Sequence, residues 1–470
     1  MVKRNQLQLF FLTVIFLSCQ TAGNQHPIAL HPDNPHYFLF KDKPIVLITS
    51  AEHYGAVINL DFDYVAYLEA LSADGLNLTR VFSGAYAEPV GAFNIEKNTL
   101  APKPEQFICP WPRSDTPGYA NGGNKFDLSK WDEEYFLRLK DFMREAAKRN
   151  IIVEFTLFCP FYEDRQWNIS PMNDLNNIQG GGPRDRNHVY TLDKSKALLS
   201  VQEKLVRKIV HELKDYNNLL YEICNEPYFG GVTLEWQHHI ASLIHEEEKE
   251  FSHPHLITQN IANGSEKIKN PHPAVSVFNF HYATPPLAVK QNYSLNKVLG
   301  DNETGFNGNS DSTYRKEGWE FILAGGALFN NLDYSFTADH ETGTFQYPAT
   351  QPGGGTPALR KQLGFLQRFI SSFDLLRMHP DTTLILNPKE IKGSRVLSEP
   401  GKQYAVYLSG KGPFNLELSI PAGNYRVQFM DPLKGTFEKT VDLTSEGKVH
   451  LTTPSYPEDV ALKISKKLPE

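Results

Sequence analysis

Leu219–Tyr228 reads Leu-Leu-Tyr-Glu-Ile-Cys-Asn-Glu-Pro-Tyr. The first half is a short apolar run of the kind that forms a buried strand. Pro227 has no N–H to give to a ladder, so pairing stops there and the strand leaves Asn225 and Glu226 at its C-terminal end. In a closed sheet of parallel strands, that end is where side chains converge on one mouth. An amide next to a carboxyl at such a position is a candidate for chemistry, while a simple chain turn is the plainer reading.

Working outward from this strand, similar apolar runs recur at Ile45–Thr49, Leu76–Phe82, Ile151–Cys159, Leu256–Gln259, Val275–Phe280, Val298–Asp301 and within Ala327–Ser335. Amphipathic helices are expected between them. One carries Tyr64, Leu68 and Leu71 after a cap at Asp61, one carries Tyr135, Leu139, Phe142 and Met143, and a last one begins with Pro at its first position at Thr356-Pro357. Strand and helix alternating eight times predicts an α/β fold, a (β/α)8 TIM barrel over residues 26–378. Two long loops, Ser83–Lys130 and Pro160–Val189, account for its length. From Asp381 the pattern changes to short alternating runs separated by Gly and Pro turns, which predicts a small all-β sandwich over 381–466.

The N-terminus reads as a targeting segment, residues 1–19. Lys3 and Arg4 precede the apolar core Leu7–Leu17, which is too short for a stable membrane span. The ending Phe16-Leu17-Ser18-Cys19 resembles a bacterial lipoprotein signal, which predicts lipidation at Cys19 and an exported, lipid-anchored protein of the bacterial cell envelope. The competing reading is an ordinary secretory signal with an incidental cysteine. The only membrane contact expected is through this anchor. The remaining cysteines, Cys109, Cys159 and Cys224, are odd in number and cannot all pair. A Cys159–Cys224 bridge and two buried thiols are both compatible with neighbouring strand ends. No Cys/His spacing matches a zinc site, so neither metal nor cofactor is expected. The net charge of −7 and the lack of a long basic run exclude a nucleic-acid partner. Oligomeric state is not legible.

Tyr221-Glu222-Ile223-Cys224-Asn225-Glu226-Pro227 resembles the fourth barrel strand of the glycosidase clan that includes cellulases, mannanases and β-galactosidases. The resemblance implies that Glu226 is the acid/base and that Asn225 holds the sugar 2-hydroxyl. Lys297–Phe306, with Asp301-Asn302-Glu303-Thr304-Gly305, resembles the clan's seventh strand and implies that Glu303 is the nucleophile. By the same resemblance Arg80 pairs with that nucleophile, and one of His281 and Tyr282 hydrogen-bonds to it. His53 is a candidate for a sugar hydroxyl, with a structural histidine equally open. The clan's strand-eight Trp is missing from Asn330–Ser335, where Tyr334 is the candidate replacement. Rival acids stand at other strand ends: Glu52, Glu163, Asp164, Asp333 and Asp301. Asp301, two residues before Glu303, is expected to share its face but sit deeper. Glu222 is expected below Glu226 inside the barrel. The C-terminal stretch, on Tyr404–Leu408 and Met430–Gly435, resembles a domain of bacterial glycosidase-like proteins that is sometimes labelled collagen-binding. The implied function is a retaining β-glycosidase acting on a carbohydrate substrate. The alternative is a non-catalytic glycan- or matrix-binding protein on a barrel scaffold.

Overall fold

The computed structural model describes residues 26–467 apart from 52, 53, 390 and 392. The expectations for Cys19, the targeting segment, Glu52 and His53 fall outside the described residues. Eight strands form one parallel sheet: β1 (Leu47–Ser50), β2 (Leu78–Phe82), β3 (Ile152–Phe158), β4 (Leu219–Cys224), β5 (Leu256–Asn263), β6 (Val275–His281), β7 (Val298–Thr304) and β8 (Leu328–Asn331). Sequential neighbours pair from β2 to β8, and β8 pairs with β1, the arrangement of a barrel. The seam between β1 and β2 is closed differently. The Asn77 side chain accepts from the Ile48 N–H at 2.9 Å and donates to the Val46 carbonyl at 2.8 Å, standing in for ladder bonds.

The helices are α1 (Tyr64–Ala73), α2 (Glu133–Lys148), α3 (Asp164–Ile169), α4 (Leu198–Leu213), α5 (Leu234–Glu247), α6 (Leu287–Asn292), α7 (Asp311–Leu323) and α8 (Pro357–Ile370). α1 is capped by Asp63, not Asp61, because only Asp63 reaches the Val65 and Ala66 N–H groups. Helix and strand do not alternate eight times. Among the described residues the connection from β5 to β6, residues 264–274, has no helix. Its two prolines and its Lys267 and Lys269 give no apolar stripe that could pack on the sheet. Among the described residues no helix is long and apolar enough to cross a membrane. Cys109, Cys159 and Cys224 are buried free thiols.

Beyond α8 the chain is all β. Strands β9 (Ser394–Glu399), β10 (Gln403–Ser409), β12 (Gly423–Asp431), β13 (Thr436–Ser445) and β15 (Asp459–Lys466) join His379–Pro380 in an antiparallel sheet. β11 (Asn415–Leu418) pairs with β14 (Val449–Thr452). The alternation of β10 buries both faces. Tyr404, Val406 and Leu408 fill the core of the β domain, whereas Ala405 and Tyr407 pack into the barrel's core. Tyr407 stacks on Trp319 of α7 with ring centroids 5.3 Å apart. Next to it the buried Arg315 forks onto Asp459 at 3.0 and 3.1 Å and also reaches Glu458 at 2.8 Å. The β domain is thus docked through a buried ion pair as well as apolar area.

Candidate active site

The C-terminal ends of the barrel strands converge on Glu226 and Glu303, both buried. Glu226 lies just past β4 with φ +33°, a left-handed conformation that a non-glycine residue holds only when its surroundings impose it. Glu303 lies near the end of β7. One oxygen of each carboxyl and a nitrogen of His281 all lie within 4.8 Å of one another.

The donors around the two acids divide them. Glu303 Oε2 accepts from Tyr54 Oη at 2.7 Å and from Arg80 Nη1 at 3.0 Å. Its Oε1 accepts from Tyr282 Oη at 2.7 Å. Burial alone would raise Glu303, but the positive His281 and Arg80 and the Tyr54 hydroxyl outweigh it and hold the carboxyl well below the usual carboxylate range. Glu226 accepts from Tyr162 at 2.6 Å on one oxygen and from Tyr228 at 3.2 Å on the other. His281 Nδ1 stands between the pair, 3.3 Å from Glu226 and 3.4 Å from Glu303. Burial opposes charge on this imidazole, yet the two carboxylates raise it to about 10, so it is an imidazolium at neutral pH. Of the two candidates at the end of β6, it is Tyr282 that makes the short bond to Glu303.

Arg80 is completely buried and fully committed. Its Nε and Nη2 fork onto Glu222 at 2.8 and 2.7 Å, and Nη2 also donates to Asn225 Oδ1 at 2.6 Å. Glu222 therefore lies inside the barrel as expected, but a single guanidinium links it to the site. Glu154, 3.9 Å from Arg80, completes this interior cluster; burial raises its carboxyl to about 7.

Asp301 does not share a face with Glu303. The pairing of β6 with β7 shifts between Asp301 and Glu303, a bulge that turns Asn302 inward onto Glu154 and Glu222. Asp301 instead accepts from the Ala283 N–H at 3.2 Å, and burial raises its carboxyl. The other rivals have their own partners. Asp333 pairs with Arg360 at 2.8 Å, Glu163 with Arg165 at 2.6 Å and Asp164 with Arg186 at 3.2 Å.

The cavity over the two acids measures about 70 Å³. Tyr334 lines it, as does Glu88 of the loop after β2. The Tyr334 ring depends on Gly353, where a Cβ would sit 2.0 Å from Tyr334 Cε2. Tyr162 lines the same cavity. Its hydroxyl accepts from Asn225 Nδ2 at 2.8 Å while donating to Glu226, so it occupies the two partners a bound hydroxyl would use. Tyr54, Tyr162, Tyr228 and Glu88 were not singled out from sequence. Tyr54 and Tyr162 each stand a few residues past a strand end, those of β1 and β3, the position rule that found the acids. Glu226, His281 and Glu303 could also share a cation, but the five donors already aimed at the two carboxylates suit proton sharing better.

No family model matches the chain, and no curated protein matches it. Solved structures do. A candidate glycoside hydrolase from Bacteroides vulgatus ATCC 8482 superposes with TM-score 0.67 at 15% identity, over 94% of this chain and 83% of that one. A glycoside hydrolase family 5 protein from the same organism gives 0.64 at 13% identity over 94% and 93%. A variant of the family 5 mannosidase from Rhizomucor miehei gives 0.52 at 11% identity over 74% and 99%. At these identities the likeness establishes a shared fold, the barrel with its all-β extension.

Proposed function

We propose that this protein is a retaining β-glycosidase. The observation that carries the reading is the Glu226–Glu303 pair, whose oxygens approach within 4.8 Å while Glu303 is held ionised by Arg80 and His281. Retaining enzymes place their two carboxyls ~5–5.5 Å apart, whereas inverting enzymes leave ~6.5–9.5 Å for a water. At the short spacing Glu303 attacks the anomeric carbon directly, forming a covalent glycosyl ester as the glycosidic bond breaks. Glu226 gives its proton to the leaving oxygen, then removes one from the water that hydrolyses the ester. Tyr54 and Tyr282 steady Glu303 through both steps. Asn225, fixed by Arg80, presents its Nδ2 to the sugar once Tyr162 withdraws. A purely binding scaffold has no use for an ionised carboxylate held by four groups beside a second acid. The fold neighbours named as glycoside hydrolases support the reading, and the Rhizomucor miehei mannosidase puts mannosides among the first substrates to screen.

The test is Glu303→Gly on an activated aryl glycoside. Turnover should vanish and return with azide, giving a glycosyl azide of the configuration opposite to the substrate's. A fluorinated glycoside inactivator should label the peptide holding Glu303. Inverted product from the wild type would refute the mechanism. We further propose export with a lipid on Cys19, from Leu17-Ser18-Cys19. Equal fatty-acid labelling of wild type and Cys19→Ala in a bacterial host would refute that.

A further inference from the structure

One carboxyl of the cavity has no part in that mechanism. Glu88 is 6% exposed and lines the same small space as Glu226 and Glu303. It is held in place by Tyr86, whose hydroxyl donates to Oε1 at 3.0 Å, by the Asn98 amide on Oε2, and by its own N–H on the Leu100 carbonyl at 2.8 Å. Each carboxyl oxygen keeps a lone pair beyond these bonds. Behind Glu88 the loop after β2 is tied to the loop after β8. Asn94 Nδ2 donates to the Thr350 carbonyl at 3.0 Å, and the Glu96 N–H donates to Gln351 Oε1 at 2.9 Å. These bonds bridge the mouth of the barrel on that side, where Glu88, Phe93, Ile95, Asn98 and Leu100 of the one loop wall the cavity. No Lys or Arg lines it.

Resting on the glycosidase reading, we propose that Glu88 receives a pair of hydroxyls at the non-reducing end of one neutral terminal sugar, so that the enzyme removes sugars one at a time from chain ends. The tied loops are expected to leave no room on that side for a further sugar beyond the cleaved one. The lining offers no lysine or arginine to pair with the carboxylate of an acidic sugar. A carboxyl with two free lone pairs suits a vicinal diol, and a fixed polar partner of this type discriminates sharply against sugars lacking the hydroxyl. Burial, partly offset by Asn98 and Tyr86, raises Glu88 to about 7, so below neutrality it can also donate a proton to a hydroxyl oxygen.

The experiment compares wild type, Glu88→Gln and Glu88→Ala on three probes. These are nitrophenyl β-glycosides of neutral hexoses, the same glycosides lacking one ring hydroxyl, and a β-linked oligosaccharide labelled at its reducing end. The oligosaccharide should shorten by single sugars from the unlabelled end. Glu88→Ala should lower kcat/KM on the complete glycosides by about 10- to 100-fold, mainly through KM. On the deoxy analogue that lacks Glu88's partner, wild type and variant should be equal. Glu88→Gln keeps the volume and should fall between them. Cuts within the oligosaccharide would overturn the terminal mode. A loss of the same size on complete and deoxy glycosides would reduce Glu88 to a loop strut. In both cases the wild type still hydrolyses and the glycosidase reading stands, whereas a wild type inert on every glycoside removes both.

Discussion

Replacing Arg80 separates the two jobs that its guanidinium performs. It stabilises the barrel interior by pairing with Glu222, and it keeps Glu303 ionised. At 3.0 Å and an effective dielectric of ~20, a unit charge contributes ~5.5 kcal/mol, or ~4 pKa units, at Glu303. Glu222 takes two of the five donors and cancels much of that field, and Tyr54, Tyr282 and His281 remain after the substitution. Arg80→Met should therefore raise Glu303 by about 1–2 units, within the range seen for a carboxylate losing an arginine neighbour. It also leaves Glu222 buried without its counter-ion, at a cost of about 3–5 kcal/mol, a large part of a typical domain's stability. Adding Glu222→Gln removes that unpaired charge and should recover much of the stability without restoring ionisation. The assays are urea unfolding and the pH dependence of kcat/KM on an activated aryl glycoside. The acidic limb should move up in both variants, while the unfolding midpoint should fall in the single variant and largely recover in the double. A folded double variant whose acidic limb coincides with that of wild type would refute the role given to Arg80.

Tyr162→Phe should free Glu226 Oε2 and Asn225 Nδ2, lowering KM several-fold on aryl glycosides; an unchanged or higher KM would show that the hydroxyl does not compete with substrate. His281 is raised to about 10 from an ordinary 6.5, so the stability it carries is full below about 6.5 and is lost as pH rises through about 10. Glu303 acts with the opposite sign: its contribution is present above its ordinary 4.5 and is lost as pH falls toward its depressed value. His281→Gln should flatten the alkaline decline in urea midpoint, and an unaltered slope would contradict the assignment. Arg315→Met leaves Asp459 buried without its counter-ion, with only the Tyr407 hydroxyl on it, and should cost about 3–5 kcal/mol; a loss within about 0.5 kcal/mol would mean that the contact is not the docking clamp.

What could be read from the residues, and what could not, follows from the range of the forces involved. Glu226 and Glu303 stand out because an apolar run followed by a polar residue marks a strand end, and strand ends meet at one mouth. The same rule misplaced Asp301, because it assumes strict alternation and the bulge between Asp301 and Glu303 breaks it. The shift is present against both neighbours, β6 and β8, and the run Asp301-Asn302-Glu303 carries no residue pattern that announces it. Glu88 and Tyr162 lie in or at the start of loops without a period, and only packing brings them to the acids. In the β domain, Thr383–Leu386 is apolar enough to read as a strand, but it supplies only an isolated bridge at Ile385. Ser394–Glu399 became β9 although its sequence shows only Val396 and Leu397, because β10 supplies its ladder. The missing helix between β5 and β6 shows that a crossover needs length more than it needs a helix.

The seam between β1 and β2 gives the barrel a direction of yielding. Elsewhere adjacent strands share a ladder whose bonds break together. Here, among the described residues, Asn77 supplies a side-chain amide for two of the links, and its own N–H reaches Ile48 at 3.3 Å. The Phe82 N–H also reaches the Tyr54 carbonyl at 2.9 Å, so a handful of bonds sets the threshold for local opening. Amide exchange should be faster at Ile48 than at the neighbouring Leu47, whose N–H is held by Ala327 in the β8 ladder. Arg80 projects from the same strand that Asn77 introduces, so a breath at this seam would act on the strand that carries the charge keeping Glu303 ionised.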